Sequence, residues 1–303
     1  MLMDKKTKIK IISLDNHLFP KLLKEIPDAP KKIYVLGELP DLSDDSPLIA
    51  IVGTRKATDY GKQFAKEISQ KLTEMGVIIV SGLAMGIDTA AHEGAIAANG
   101  KTIAVLANGL DSIYPAQNEN LAKKILELGG AIISEYALTT PAYPNQFLER
   151  NRIVSGLSIA TIVIEAPNRS GSIATARLAA EQGREVFILP GPANHPNYQG
   201  SHKLIRDGAR LITSLEDILE DLNINQNLKI KNQNDNAKFK NDINKISDKN
   251  QLLIIKAVQN AGKPLYIDEI IKITKLEPHI ASQTIAFLTI AGIIKEAENK
   301  LTL

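Results

Sequence analysis

The chain has 303 residues, 44% of them hydrophobic, and its 36 Lys and Arg residues nearly balance 34 Asp and Glu residues, leaving a net charge of +2. This size allows one large hydrophobic core and a smaller second module, and the near-neutral charge excludes a global field as the means of holding a polyanion. The absence of cysteine excludes disulfides, thiol nucleophiles and Cys-ligated zinc. A chain without disulfides is usual in a reducing compartment.

The first 47 residues contain five prolines and are predicted to form an irregular extension. Their lysine-rich start precedes an apolar run that is too short for a signal peptide. No segment reaches the roughly 18 uninterrupted apolar residues that a membrane helix needs. We therefore expect a soluble, cytoplasmic protein without a membrane partner.

Residues 48–220 alternate short β-branched runs with turns and helical stretches, which is the pattern of an α/β domain. The runs are apolar on both faces, as strands of a parallel sheet covered by helices on both sides must be. The sequence therefore predicts a Rossmann-like, doubly wound, mostly parallel sheet. Its predicted strands are 48–52, 77–80, 102–106, 131–133, 161–164 and 185–189.

The pattern changes after residue 220. Residues 221–248 are rich in Asn, Lys and Asp, which predicts a flexible linker. Residues 249–303 contain three helical patterns and a final hairpin centred on Glu298-Asn299, which together indicate a small winged-helix domain. Its third helix, over 279–290, has no Lys or Arg, so we expect this domain to contact protein or to pack on itself, and not to bind duplex DNA.

The loops that follow the predicted strands are rich in glycine, small hydroxyl residues and arginine. In a doubly wound sheet ligands bind beyond the carboxyl ends of the strands, and these residue types suit a phosphate at a helix N-terminus. Glycines also make the tight turns of any such fold, so one loop alone would indicate little. The candidates are Gly53, Arg55, Ser81, Gly82, Arg169, Ser170 and Gly171.

Two common nucleotide motifs are missing. The loop after the first strand, 53–58, lacks the G-x-G-x-x-G fingerprint of dinucleotide-binding enzymes. The nearest match to a Walker A loop, 94–102, has one residue too many between its glycines and precedes a strand. We therefore expect no NTPase chemistry and no cofactor.

The segment 147–156 brings aromatic and basic residues together. Phe147, Arg150 and Arg152 combine a stacking surface with cations, as single-stranded nucleic acid requires. The alternative is that Phe147 belongs to the core and an arginine pairs with a nearby glutamate such as Glu149 or Glu165.

A catalytic or metal site is conceivable at Asp88 and His92, four residues apart, or at Glu135 and Glu165, which end strands. Asp88 is equally well explained as a first-turn acid facing a helix dipole. We expect no catalytic residue and no metal ligand.

The motifs together resemble the DNA-processing protein A (DprA/Smf) family over about residues 10–220. The resemblance rests on Gly53-Thr54-Arg55, on 81–88, on Gly109-Leu110-Asp111, on Tyr114-Pro115 with Asn118, on 150–157 and on Ser170-Gly171-Ser172. It implies a non-catalytic protein that binds and protects single-stranded DNA, forms a homodimer through the Rossmann domain and loads a RecA-type recombinase in natural transformation. A nucleotide-processing hydrolase and a structural adaptor are the alternatives.

Position by position, the resemblance implies a DNA-binding set that adds Tyr114, Asn118, Phe147 and Asn151 to the residues above. The set is Gly53, Arg55, Ser81, Gly82, Tyr114, Asn118, Phe147, Arg150, Asn151, Arg152, Arg169, Ser170 and Gly171. The sequence departs from the family at Leu148, where proline is usual, and at Ala116, where a basic residue is common. The second departure implies one phosphate contact fewer.

Overall fold

The computed structural model describes residues 9–39, 47–222, 248–261, 265–290, 294–297 and 300–302. It divides the chain into two compact units, Met1–Leu222 and Asn223–Leu303. Among the described residues, no helix is both long and apolar enough to cross a membrane.

Within the described part of the first unit, nine strands form one sheet. They are β1 (Lys10–Ser13), β2 (Lys32–Gly37), β3 (Leu48–Gly53), β4 (Ile78–Ser81), β5 (Thr102–Val105), β6 (Ala131–Ser134), β7 (Ala160–Ile164), β8 (Glu185–Ile188) and β9 (Arg210–Leu211). Their order is β1-β2-β6-β5-β4-β3-β7-β8-β9, and all pairs from β6 to β9 are parallel. Strands β3 to β8 follow the six predicted runs, so the doubly wound α/β fold is confirmed.

The N-terminal segment corrects the prediction of an irregular extension. β1 and β2 pair with each other, and β2 joins the main sheet through an antiparallel pairing with β6. Prolines suggested coil, but Pro30 lies just before β2 and the strand itself contains no proline, so its hydrogen bonds are not interrupted.

Helices cover both faces of the sheet. The helices of this unit are α1 (Lys21–Lys24), α2 (Asp59–Glu74), α3 (Ile87–Ala97), α4 (Glu119–Glu127), α5 (Pro144–Gly156), α6 (Gly171–Glu181), α7 (Gln199–Arg206) and α8 (Leu215–Leu222). Consecutive β5 residues enter different clusters: Ile103 packs with residues of α5 and α6, and Ala104 packs with residues of α4. Successive strand side chains point to opposite faces, so α5 and α6 lie on one face and α4 on the other.

The chain reverses its direction of travel across the sheet at β3. From β3 it proceeds through β4 and β5 to β6 on one side, and then returns to place β7, β8 and β9 on the other. Such a reversal leaves a crevice beyond the carboxyl ends of the two central strands, here β3 and β7. The topology thus fixes where a ligand can enter.

In its described residues, the second unit has three helices and a three-stranded sheet. They are α9 (Lys249–Ala261), β10 (Leu265–Tyr266), α10 (Ile267–Thr274), α11 (Pro278–Ile290), β11 (Lys295–Ala297) and β12 (Lys300–Thr302). β12 pairs antiparallel with both other strands, and Ile254, Ile270 and Leu288 pack in a core of their own. This is the predicted winged helix. The hairpin turn at Glu298-Asn299 and residues 223–247 of the predicted linker lie outside the described residues.

Candidate nucleic-acid interface

A cleft of about 510 Å³ opens beyond the carboxyl ends of β3 and β4. Its walls come from the loops after these strands, from α5 and from the first turn of α6. Nine of the thirteen predicted DNA-binding residues line it, so the topology brings together most of what the sequence grouped. These nine are Gly53, Arg55, Gly82, Tyr114, Phe147, Arg150, Asn151, Ser170 and Gly171.

One wall is a stack of a cation and two aromatic rings. The Arg55 guanidinium carbon lies 5.0 Å from the centroid of the Phe147 ring, and the rings of Phe147 and Tyr114 lie 5.4 Å apart, tilted by 57°. Arg55 is exposed and forms no salt bridge in the described part of the chain. A free cation beside exposed ring surface can hold a phosphate and stack a base.

Another wall is the first turn of α6. The Ser170 Oγ caps the helix, accepting from the Ile173 amide at 3.4 Å. A Cβ on Gly171 would meet only Asn151 Nδ2, at 3.8 Å, so a ligand can approach this backbone closely. The positive end of the helix dipole and the first-turn amides favour an anion here.

Arg150 lies beneath these walls and is 4% exposed. Its Nη1 donates to the carbonyl of Gly82 at 2.8 Å and also to that of Val105, while its Nε donates to Asn151 Oδ1 at 3.4 Å. Burial lowers the pKa of Arg150 to about 10, against the opposing effect of the Asp88 charge. The guanidinium is therefore held by the ends of β4 and β5 and forms the floor of the cleft.

Asp88 shares this floor and is 6% exposed. Its Oδ2 accepts from the amides of Gly82 at 3.1 Å and Ala84 at 3.4 Å. Burial raises the pKa of Asp88, partly offset by the charge of Arg150 and by these two amides. Asp88 and Arg150 thus hold the amide and the carbonyl of Gly82 from two sides.

Gly53 is needed at the cleft for reasons of space. A Cβ at this position would lie 1.9 Å from the carbonyl oxygen of Ile164 and 2.5 Å from Ile87 Cγ1. Any side chain would force β3 away from β7 and from α3, which would widen the crevice itself.

Four predicted residues do not line the cleft. Ser81 is fully buried and its Oγ donates to the carbonyl of Ile51 at 2.6 Å. Asn118 is buried and donates to the carbonyl of Leu83 at 2.8 Å. Arg169 is exposed just before the first turn of α6. The fourth is Arg152.

Arg152 faces away from the cleft floor. Its Nη2 lies 2.6 Å from Glu135 Oε2, and its Nε lies 2.9 Å from Asp28 Oδ2. Burial would lower the pKa of Arg152, but the hydrogen bonds and charges of these carboxylates raise it instead. Residues two apart on a helix point in nearly opposite directions, so Arg150 and Arg152 cannot serve the same floor.

Of the groups considered for catalysis, only Asp88 lines the cleft. His92 is fully buried with its Nδ1 2.8 Å from Thr102 Oγ1, and burial lowers its pKa to about 3. Glu135 is paired with Arg152.

Glu165 holds together the loops beside the β3/β7 reversal. It is buried and accepts hydrogen bonds from the Thr58 amide at 2.9 Å, Asn197 Nδ2 at 2.9 Å and the Tyr198 hydroxyl at 3.1 Å, and also from Thr58 Oγ1. Burial acts to raise the pKa of Glu165, but these hydrogen bonds lower it.

The cleft also contains residues that sequence reasoning did not assign to it. Ala142, Pro144 and Leu148 precede or begin α5, and Val154 and Thr175 come from the interiors of α5 and α6. Leu148 follows Phe147 and is 54% exposed. An exposed apolar residue on a helix could have indicated that Leu148 belongs to a binding site. Thr54 and Ala84 lie in the loops after β3 and β4, and Ser172 lies in the first turn of α6.

A family model described as DNA recombination-mediator protein A matches residues 10–223. Protein Smf of Escherichia coli (strain K12) is 47% identical over 212 residues, covering 70% of this chain and 56% of that protein. DNA processing protein DprA of Bacillus subtilis (strain 168) is 42% identical over 214 residues, which is 71% of each chain. This chain thus spans little more than half the length of the Escherichia coli relative.

Two solved structures are similar in fold and sequence. DNA processing protein A from Streptococcus pneumoniae has a TM-score of 0.65 and 39% identity, covering 70% of this chain and 74% of that chain. DNA processing protein A from Helicobacter pylori, whose structure is described as giving insight into its single-stranded DNA binding mode, has a TM-score of 0.64 and 33% identity. Here the coverage is 73% of this chain and 98% of that chain.

Proposed function

Because the chain belongs to the DNA recombination-mediator protein A family, we propose that it binds single-stranded DNA in the cleft beyond β3 and β4 and acts without catalysis of its own. The observation that carries the proposal is the Arg55, Phe147 and Tyr114 stack beside the N-terminus of α6. The relative from Helicobacter pylori is described as binding the same nucleic acid.

The two walls suit the two parts of a nucleotide. Exposed Arg55 and the first turn of α6 offer positive charge to phosphates. Phe147 and Tyr114 offer ring faces, and stacking contributes about 1–3 kcal/mol per base. Stacking needs an unpaired base, so a cleft of this kind favours a single strand over a duplex. In the proposed assignment, Ser81 and Asn118 support the loops, and Arg152 supports α5.

Fluorescence anisotropy with a labelled single-stranded oligonucleotide and a duplex of equal length tests the proposal. We expect salt-sensitive binding that favours the single strand. Arg55→Ala is expected to weaken it about tenfold and to reduce the slope against log salt by about one. Phe147→Leu keeps apolar volume but removes the ring, and should weaken binding about tenfold without changing the salt slope.

Arg206→Ala is the matched control, since Arg206 is exposed on α7 outside the cleft. It should leave single-strand affinity unchanged. Weak binding that does not distinguish single strand from duplex would contradict the proposal and favour the nucleotide-processing hydrolase. Release of free base from a nucleotide by the purified protein would then be the decisive assay.

We also propose that the protein works in the cytoplasm, self-associates through the Rossmann-like unit and delivers DNA to a RecA-type recombinase. The family's description as a recombination mediator supports the last of these. Sedimentation velocity at several concentrations should show a dimer, for the full chain and for residues 1–222 alike. RecA filament assembly on single strands coated with a single-strand-binding protein should be faster when this protein is present.

A further inference from the structure

Glu165 follows β7 in a backbone conformation that favours glycine. Its φ is +54°, in the left-handed region that residues with a side chain adopt only at a cost. The residue is fully buried. Residues held in this way persist where the surrounding structure requires them, most often at functional sites. The side chain of Glu165 must therefore do something that glycine could not.

The Glu165 carboxylate is the centre of a network of hydrogen-bond donors. Its Oε2 accepts from the Thr58 amide and from Asn197 Nδ2, both at 2.9 Å. Its Oε1 accepts from the Tyr198 hydroxyl at 3.1 Å and also from Thr58 Oγ1. The first turn of α2 packs closely against it, since a Cβ on Gly61 would lie 2.5 Å from Glu165 Oε1. Four donors on two oxygens hold the carboxylate in one position.

This network holds the loop that carries Arg55. The main-chain carbonyl of Glu165 accepts from the Thr54 amide at 2.8 Å, and its side chain holds the end of the same loop. Between these points, Asn197 Nδ2 also donates to the carbonyl of Lys56 at 3.1 Å. The loop is thus fixed on both sides of Arg55, whose side chain is exposed at the cleft.

We propose that Glu165 and Asn197 are positioning residues for DNA binding, an inference that rests on the proposed single-stranded DNA binding. Together they hold the 54–58 loop so that the Arg55 guanidinium stays beside the Phe147 ring. Neither residue lines the cleft, so both act through Arg55 and not by touching the strand. A loop that is fixed before the ligand arrives has less conformational freedom to lose on binding, which raises the affinity.

Asn197→Ala tests this arrangement with little risk to folding, because Asn197 is only partly buried. Fluorescence anisotropy with a labelled oligothymidylate should show about fivefold weaker binding, the factor that corresponds to one hydrogen bond. In the Arg55→Ala background the same substitution should change the affinity by less than about twofold, because no guanidinium remains to be positioned. Gln199→Ala is the control and should leave the affinity unchanged, since it removes an amide from the same segment that bonds to Asn168 at 2.8 Å.

Glu165 itself is tested with a conservative and a disruptive variant. Glu165→Gln can keep all four hydrogen bonds: its oxygen can accept from the Thr58 amide and from Asn197, and its amide can donate to the two hydroxyl oxygens on the other side. Its affinity for oligothymidylate should stay within about twofold of wild type. Glu165→Met keeps the length of the side chain but loses both oxygens, and should bind at least about tenfold more weakly.

Three outcomes would overturn the inference and leave the proposed function standing. The first is unchanged binding by Asn197→Ala, and the second is an equal loss from this substitution with and without Arg55. The third is Glu165→Gln binding as weakly as Glu165→Met, since the charge and not the hydrogen bonds would then act on Arg55. If Glu165→Met fails to fold, the two Asn197→Ala measurements decide alone. Wild-type protein that does not bind the oligothymidylate would overturn the proposed function as well.

Discussion

The two faces of helix α5 use the same residue type for different purposes. Arg150, on the cleft face, is almost fully buried and bonded to the ends of β4 and β5. Arg152, on the other face, joins Glu135 and Asp28 and so ties the helix to the N-terminal segment. The two arginines of Arg150-Asn151-Arg152 therefore have different functions: Arg150 shapes the ligand site, and Arg152 anchors the helix that carries it.

Arg150→Ala should have the largest effect on both stability and single-strand binding. It leaves the Gly82 and Val105 carbonyls without this donor and removes the positive charge that most favours the ionised form of the buried Asp88 carboxylate. Removing one member of a buried charged pair costs about 3–5 kcal/mol, so we expect a loss of about 4 kcal/mol in the free energy of unfolding and loss of single-strand binding. Urea unfolding followed by circular dichroism measures the first. A variant as stable as wild type would mean that the floor does not depend on Arg150.

Gly82→Ala tests the same face without removing a charge. The added methyl would stand within 2.7 Å of both Arg150 and Asp88 and must displace them. Overpacking of this kind costs about 1–3 kcal/mol, and single-strand affinity should fall with it. Gly171→Ala is the control for stability, since the nearest atom to its added Cβ is 3.8 Å away. Equal unfolding midpoints for the two variants would contradict the crowding argument.

Arg152→Ala tests the other face of α5, where we expect an effect on stability and none on DNA binding. It leaves Glu135, whose side chain is 17% exposed, without its partner, and we expect a loss of about 1–2 kcal/mol, less than for a fully buried pair because Asp28 is exposed. Single-strand affinity and its salt slope should stay within about twofold of wild type, since the guanidinium does not line the cleft. A fall in the salt slope of about one would return Arg152 to the DNA-binding set.

The sequence was sufficient for the sheet and for most of the cleft. Six apolar runs predicted β3 to β8, because strands buried on both faces have little other pattern to show. Gly53, Arg55 and Gly171 could be placed in one site because strand ends meet at one edge of the sheet.

What the sequence could not supply was the direction of individual side chains and the partners of the N-terminal segment. The spacing of Arg150 and Arg152 implies opposite faces of a helix, but only the packing of α5 shows which face meets the cleft. Ser81 follows the rule for loops at strand ends, yet its hydroxyl bonds to β3. β2 was missed because its pairing with β6 joins residues about a hundred positions apart, a contact that local patterns do not contain.

Helix α3 also carries two ionisable residues with different surroundings, Asp88 and His92, which lie one turn apart. The effect expected for His92 is the smallest of those predicted. Asp88 lines the cleft, whereas His92 is buried behind it with a pKa lowered from 6.5 to about 3. The folded protein keeps His92 neutral while the unfolded chain binds a proton below pH 6.5, so this stability is present above pH 6.5 and is lost as the pH falls towards 3. The loss attributable to His92 should be about 1 kcal/mol at pH 6. Urea unfolding between pH 5 and 8 should show a smaller pH dependence in His92→Gln than in wild type, while the exposed control His17→Gln keeps it. Equal pH dependence in wild type and His92→Gln would mean that the imidazole takes up its proton in the folded protein as readily as in the unfolded chain.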